Sequence, residues 1–123
     1  MKLTYETLTI GPMGNNVYLL ADEDTKECVI IDPGFLPKRQ LGFIDQKGWK
    51  LKQIWVTHGH FDHTAGVKAL SEAFDPPVPI AMHPESFEWA KQNPSDGMFG
   101  VSVDEVPRVD IPLHHGIWLG INP

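Results

Sequence analysis

A chain of 123 residues fits one domain and can bury roughly 65% of its unfolded surface, so a core can form without disulfides or structural metals. Its 10 Lys and Arg against 16 Asp and Glu give a formal net charge of -6 with no basic cluster, which argues against a nucleic-acid surface or a basic membrane patch. A single cysteine, Cys28, excludes an intrachain disulfide and points to a reducing compartment; with no apolar leader and no run of ~20 apolar residues, a cytoplasmic protein is expected.

The 11 Pro and 11 Gly are spread along the chain, which predicts many turns between short elements. Residues 3–10 mix β-branched and aromatic side chains in partial alternation and predict a strand. A turn cluster follows at 11–16, then short apolar runs at 17–21 and 28–31 predict two more strands around a polar loop at 22–26. The unbroken apolar run at 28–31 suggests a strand buried on both faces, stopped by Asp32-Pro33-Gly34. Short connections between the three strands predict an antiparallel meander.

The period then changes. Residues 37–47 carry Leu41 and Ile44 at helical spacing, with Pro37 in the first turn and Gly48 as a C-terminal cap. Residues 51–56 predict a fourth strand, and 63–74 a helix with Val67, Leu70 and Phe74 on one face and Asp62 as its cap. A fifth strand is expected at 78–82, a Pro84-led helix at 84–92, a loop at 93–110 with an exposed acidic stretch at 104–110, and a turn entering a strand at 113–120. Strands alternating with helices imply crossover connections and a parallel region.

The densest chemistry lies in Thr57-His58-Gly59-His60-Phe61-Asp62-His63, where four metal-capable side chains fall within six positions. Helical spacing would not bring them to one face, but an irregular loop at a strand end can, and Gly59 permits close backbone approach. Imidazole and carboxylate donors together suit zinc, and also iron or manganese.

With these residues in view, His58-x-His60-x-Asp62-His63 after an apolar strand resembles the signature of the metallo-β-lactamase superfamily. The run Val29-Ile30-Ile31-Asp32-Pro33-Gly34 resembles that superfamily's strand-to-turn segment, and Asn15-Asn16-Val17-Tyr18-Leu19 resembles the early strand of its glyoxalase II-like, or hydroxyacylglutathione hydrolase-like, branch. Met98-Phe99-Gly100 and residues 113–120 sit where that branch has a loop and a returning strand.

The resemblance implies an α/β (α+β) fold: the N-terminal half of an αββα sandwich, with a metal site at the edge of the sheets. It implies that His58 and His60 hold one metal, that Asp62 and His63 hold a second, and that Asp32 is a nearby carboxylate orienting ligands or water. The implied activity is hydrolysis by a metal-activated water, with a small-molecule thioester as substrate. The family's further ligands, a histidine in a Gly-His-Thr-Pro-Gly-like segment, a bridging aspartate and a last histidine, are expected beyond Pro123. Residues 1–123 are therefore expected to be one domain ending before its second ligand half, either a fragment of a longer hydrolase or a short form completed as a homo-oligomer or by a partner chain.

Other readings stay open: a non-catalytic metal-binding or interaction module, or, within the same fold, an oxygen-using iron enzyme or a nuclease relative, the last disfavoured by the acidic balance. His114 and His115 are expected in a turn rather than as ligands, His83 at a helix start, Cys28 in the core, and Trp49, Trp55, Trp89 and Trp118 as packing residues.

Overall fold

Strands β1 (Leu3–Ile10), β2 (Asn15–Asp22) and β3 (Glu27–Ile31) form an antiparallel meander. The computed structural model describes residues 2–10, 14–34, 37–58, 64–92, 106–117 and 119–120. The turn joining β2 to β3 is built by Asp22, 2% exposed, whose carboxylate accepts the Asp24 amide at 3.0 Å and the Lys2 amide at 3.3 Å. Lys26 closes this turn at φ 63, a left-handed conformation.

Helix α1 (Pro37–Lys47) has the bounds its spacing predicts. It stops at Gly48, whose φ of 72 lets the Gly48 amide reach Asp45 O at 3.0 Å and the Trp49 amide reach Ile44 O at 3.1 Å. Those two bonds satisfy carbonyls that the helix end would leave open. Strand β4 (Lys50–Val56) then runs parallel to β3, followed by helix α2 (Val67–Glu72), strand β5 (Ile80–Met82), helix α3 (Pro84–Gln92) and strand β6 (Ile111–Pro112). The sheet order is β1-β2-β3-β4-β5-β6, and β3 through β6 are mutually parallel.

Paired residues share a face of the sheet. Leu19, Ile30, Ile54 and Ile80 align across four strands on one face, and all four are fully buried. Ile44 of α1 and Val67 and Leu70 of α2 pack into the same core, so these two crossover helices cover this face. Tyr18, Ile31, Trp55, Ala81 and Ile111 align on the opposite face. There the Gln53 side chain donates to Gly120 O at 3.1 Å and accepts from the Trp55 indole at 2.8 Å, which holds Gly120 to this face of the sheet. β3 is buried on both faces as its composition implies: Val29 and Ile30 are both fully buried.

Three expectations shift. The strand expected within 113–120 lies earlier, at Ile111–Pro112; the described residues after it form a turn, with Ile117 N bonded to His114 O at 3.2 Å. Two residues carry no periodicity, and Pro112 is tolerated because β6 is the outermost strand among the described residues. The acidic stretch is not wholly exposed: Val106 is 6% exposed in the core, and the Asp110 carboxylate accepts from Ile80 N at 2.9 Å and from Arg108 at 3.0 Å. Within the described part of 63–74, Thr64 is helical and Val67–Glu72 form α2, and the Gly66 amide between them is committed to a carbonyl outside the helix.

Burial of Asp22 works against its charged form, but bonds from the Asp24 and Lys2 amides and the Thr25 hydroxyl outweigh it and hold its pKa below the ordinary 3.8. A depressed carboxylate pKa contributes stability above the unfolded value and loses it as pH falls through the folded one. Asp22→Asn should therefore lower the urea midpoint at neutral pH, with the gap to wild type closing in acid. Equal midpoints at neutral pH, or a gap that widens on acidification, would contradict this role.

Candidate metal centre

Parallel strands β3 and β4 end at the same edge of the sheet, with Ile31 paired to Trp55. The residues immediately beyond that pair, Asp32 on one strand and Val56-Thr57-His58 on the other, start the candidate site. Asp32 is 8% exposed and adopts φ 50; its amide donates to Trp55 O at 2.9 Å, which extends the parallel ladder by one bond. Its carboxylate accepts twice from Thr57: Oδ1 from the backbone amide at 2.7 Å and Oδ2 from the hydroxyl at 2.5 Å. Both carboxylate oxygens thus meet the residue that precedes His58, which is half-buried.

The far end of the histidine-rich segment is held by the same turn. Gly34, at φ 68, presents its carbonyl to the Gly66 amide at 2.5 Å. A Cβ on Gly66 would stand 2.6 Å from Gly34 O and 3.5 Å from Pro37 Cδ, so the approach requires glycine here. The Asp32-Pro33-Gly34 turn therefore grips Thr57 on one side and Gly66 on the other.

Of the predicted ligands, the structure places His58; His60, Asp62 and His63 lie outside the described residues, as does the predicted capping of a helix by Asp62. Among the described residues no three His, Cys, Asp or Glu side chains gather as a metal-binding group. The donor set of three imidazoles and one carboxylate fits a divalent transition metal by its chemistry.

The remaining candidates behave as structural residues. His83 Nδ1 accepts the Glu85 amide at 3.0 Å, which caps the start of α3 and leaves any ring proton on Nε2. His114 and His115 are exposed in a turn, with His114 Nδ1 3.1 Å from His115 O. Cys28 is fully buried, and burial pushes its thiol up to about 12, so it stays protonated at neutral pH and serves as a core residue. Trp49 is in the core with its indole donating to Glu23 at 3.2 Å, whereas Trp89 is 44% exposed on α3; Met98-Phe99-Gly100 and Trp118 lie outside the described residues.

Two contributors escaped the sequence reading. Thr57 was visible only as the residue before the first histidine. Gln40, fully buried, donates from Nε2 to Pro33 O at 2.5 Å and so supports the turn from α1. Its signal was present: it lies four residues before Ile44, on the buried side of the helix.

Residues 10–121 match the metallo-beta-lactamase superfamily. The chain belongs to that superfamily. A "Probable metallo-hydrolase YqgX" from Bacillus subtilis (strain 168) is 30% identical over 108 residues, covering 85% of this chain and 49% of the relative. A hydroxyacylglutathione hydrolase from Ruegeria pomeroyi is 35% identical over 75 residues, covering 59% of this chain and 29% of the relative. The crystal structure of TTHA1623 in a di-iron-bound form superposes with a TM-score of 0.78 at 32% identity, covering 93% of this chain and 56% of that one. This chain thus spans about half the length, or less, of the curated relatives it matches. The fold is that of the superfamily, whose membership implies a divalent metal, and no helix among the described residues is long and apolar enough to cross a membrane.

Gly66→Ala should destabilise this superfamily member by about 1–3 kcal/mol, because backbone rather than a flexible side chain must yield to the new methyl. Urea unfolding measures it. Gly42→Ala is the control, since nothing lies within 4 Å of a Cβ there; equal midpoints for the two variants would contradict the close packing at Gly34.

Proposed function

We propose that this chain carries the first metal-binding segment of a metal-dependent hydrolase acting on thioesters of the hydroxyacylglutathione type. The observation that carries the reading is the double anchorage of the donor-rich segment: Thr57 and Gly66, which flank it, both bond to the Asp32-Pro33-Gly34 turn. A loop that must bring several donors to one point needs its ends fixed in this way. The relative named hydroxyacylglutathione hydrolase supports the substrate class, and the di-iron neighbour supports a two-metal site.

In this reading His58 and His60 hold one ion and Asp62 and His63 a second, with zinc as the metal and iron or manganese as substitutes. Such an ion supplies Lewis acidity toward a substrate carbonyl and acidifies water. The chain's own part is to orient the donors. Asp32 acts through Thr57: both of its carboxylate oxygens accept from that residue, so it positions the loop rather than acting on substrate. The protein acts in the cytoplasm.

We also propose that the second face of the sheet is completed by a further β-rich layer from a second copy or a partner chain. Leu3 at 56%, Tyr5 at 70% and Tyr18 at 43% exposure on that face support this. A monodisperse monomer by light scattering would count against it.

Metal analysis and a glutathione-thioester hydrolysis assay test the function together. Wild type should retain metal and hydrolyse the thioester. The double variant His58→Ala with His60→Ala should lose metal and reduce turnover by more than about 100-fold, beyond what loss of an outer contact costs. Bound metal without turnover in wild type would assign the chain to a non-catalytic metal-binding module. Unchanged metal content and activity in the double variant would overturn the site.

A further inference from the structure

We infer that Gln40 is a positioning residue for the donor loop, acting through the Asp32-Pro33-Gly34 turn; the inference rests on the metal-loop reading above. Gln40 is the fourth residue of α1, fully buried, one turn before the buried Ile44. A buried side-chain amide is costly unless it is hydrogen-bonded, and an aliphatic residue of similar volume would fill the space more favourably. Its Nε2 is committed to Pro33 O.

That carbonyl belongs to the peptide joining Pro33 to Gly34. Its orientation is one half of the Gly34 conformation, whose φ of 68 aims the next carbonyl at Gly66. On the other side, Pro33 restricts the backbone of Asp32, which holds φ 50 with its carboxylate on Thr57. Fixing one peptide plane from α1 therefore fixes both anchors of the loop. The contact spans seven residues and joins the helix that covers the core to the turn that holds the site.

Amide exchange measured by NMR on the metal-free chain, together with zinc affinity by chelator competition, tests this with Gln40→Met, which keeps volume and removes the donor. The reference amide is Ile54, bonded to Pro79 O at 2.9 Å in the same sheet. The expected result is that Thr57 and Gly66 exchange about tenfold faster relative to Ile54 and that zinc binds about tenfold more weakly, at the lower end for loss of an outer contact. A role in packing alone would speed all three amides by one common factor and leave zinc affinity at the level of Val78→Ala, a core variant remote from the turn; that result overturns the proposal. If wild type takes up no zinc, the metal reading falls and the exchange ratio alone decides Gln40. Should Gln40→Met not fold, Gln40→Asn withdraws the same amide by one methylene and carries the same two outcomes.

Discussion

The Asp32 carboxylate meets Thr57 through two hydrogen bonds at 2.7 Å and 2.5 Å, and two residues later Gly34 accepts the Gly66 amide. These three bonds leave from one turn and end on either side of the segment that carries His58, His60, Asp62 and His63. The parallel pairing of β3 and β4 makes this possible, since it brings the ends of both strands to one edge. Ligands of open α/β sheets gather at that edge for the same reason.

The turn carries a conformational cost. A non-glycine residue at φ 50, as at Asp32, lies in a region that disfavours L-residues by roughly 1–2 kcal/mol, though aspartate is among those that enter it most readily. A hydrogen bond to a charged group returns about 1.5–3 kcal/mol, so the two bonds from Thr57 outweigh that cost. Replacing Asp32 by glycine would relieve the backbone and remove both bonds. The residue type is therefore set by the side chain's contact with the loop and not by the turn alone. On the other side, Gly66 is set by the absence of a side chain, because Gly34 O occupies the space a Cβ would take.

Much of this was legible in the sequence because it rests on local rules. The helix from Pro37 to Lys47 is marked by proline at its start, Ile44 on its buried face and Gly48 after its end. The meander followed from short polar turns between apolar runs, and the double burial of β3 from its lack of alternation. What was not legible depends on partners distant in sequence. β6 is defined only by its pairing with Ala81 and Met82. The interruption between Thr64 and helix α2 goes with a Gly66 amide that bonds to a residue 32 positions earlier. Thr57 and Gln40 gain their roles from Asp32 and Pro33, which no periodicity connects to them. The donor motif itself was legible because its residues are contiguous; the turn that grips it shows its function only in three dimensions.

The central claim is that the segment between Thr57 and Gly66 is a metal site whose ends are set by the Asp32-Pro33-Gly34 turn. A crystal structure of the zinc-loaded chain, with anomalous scattering recorded at the zinc edge, tests it most directly. The account predicts an anomalous peak bounded by His58, His60, Asp62 and His63, with Thr57 still bonded to Asp32 and Gly66 to Gly34. A peak elsewhere, or a loaded loop that has let go of the turn, would contradict it.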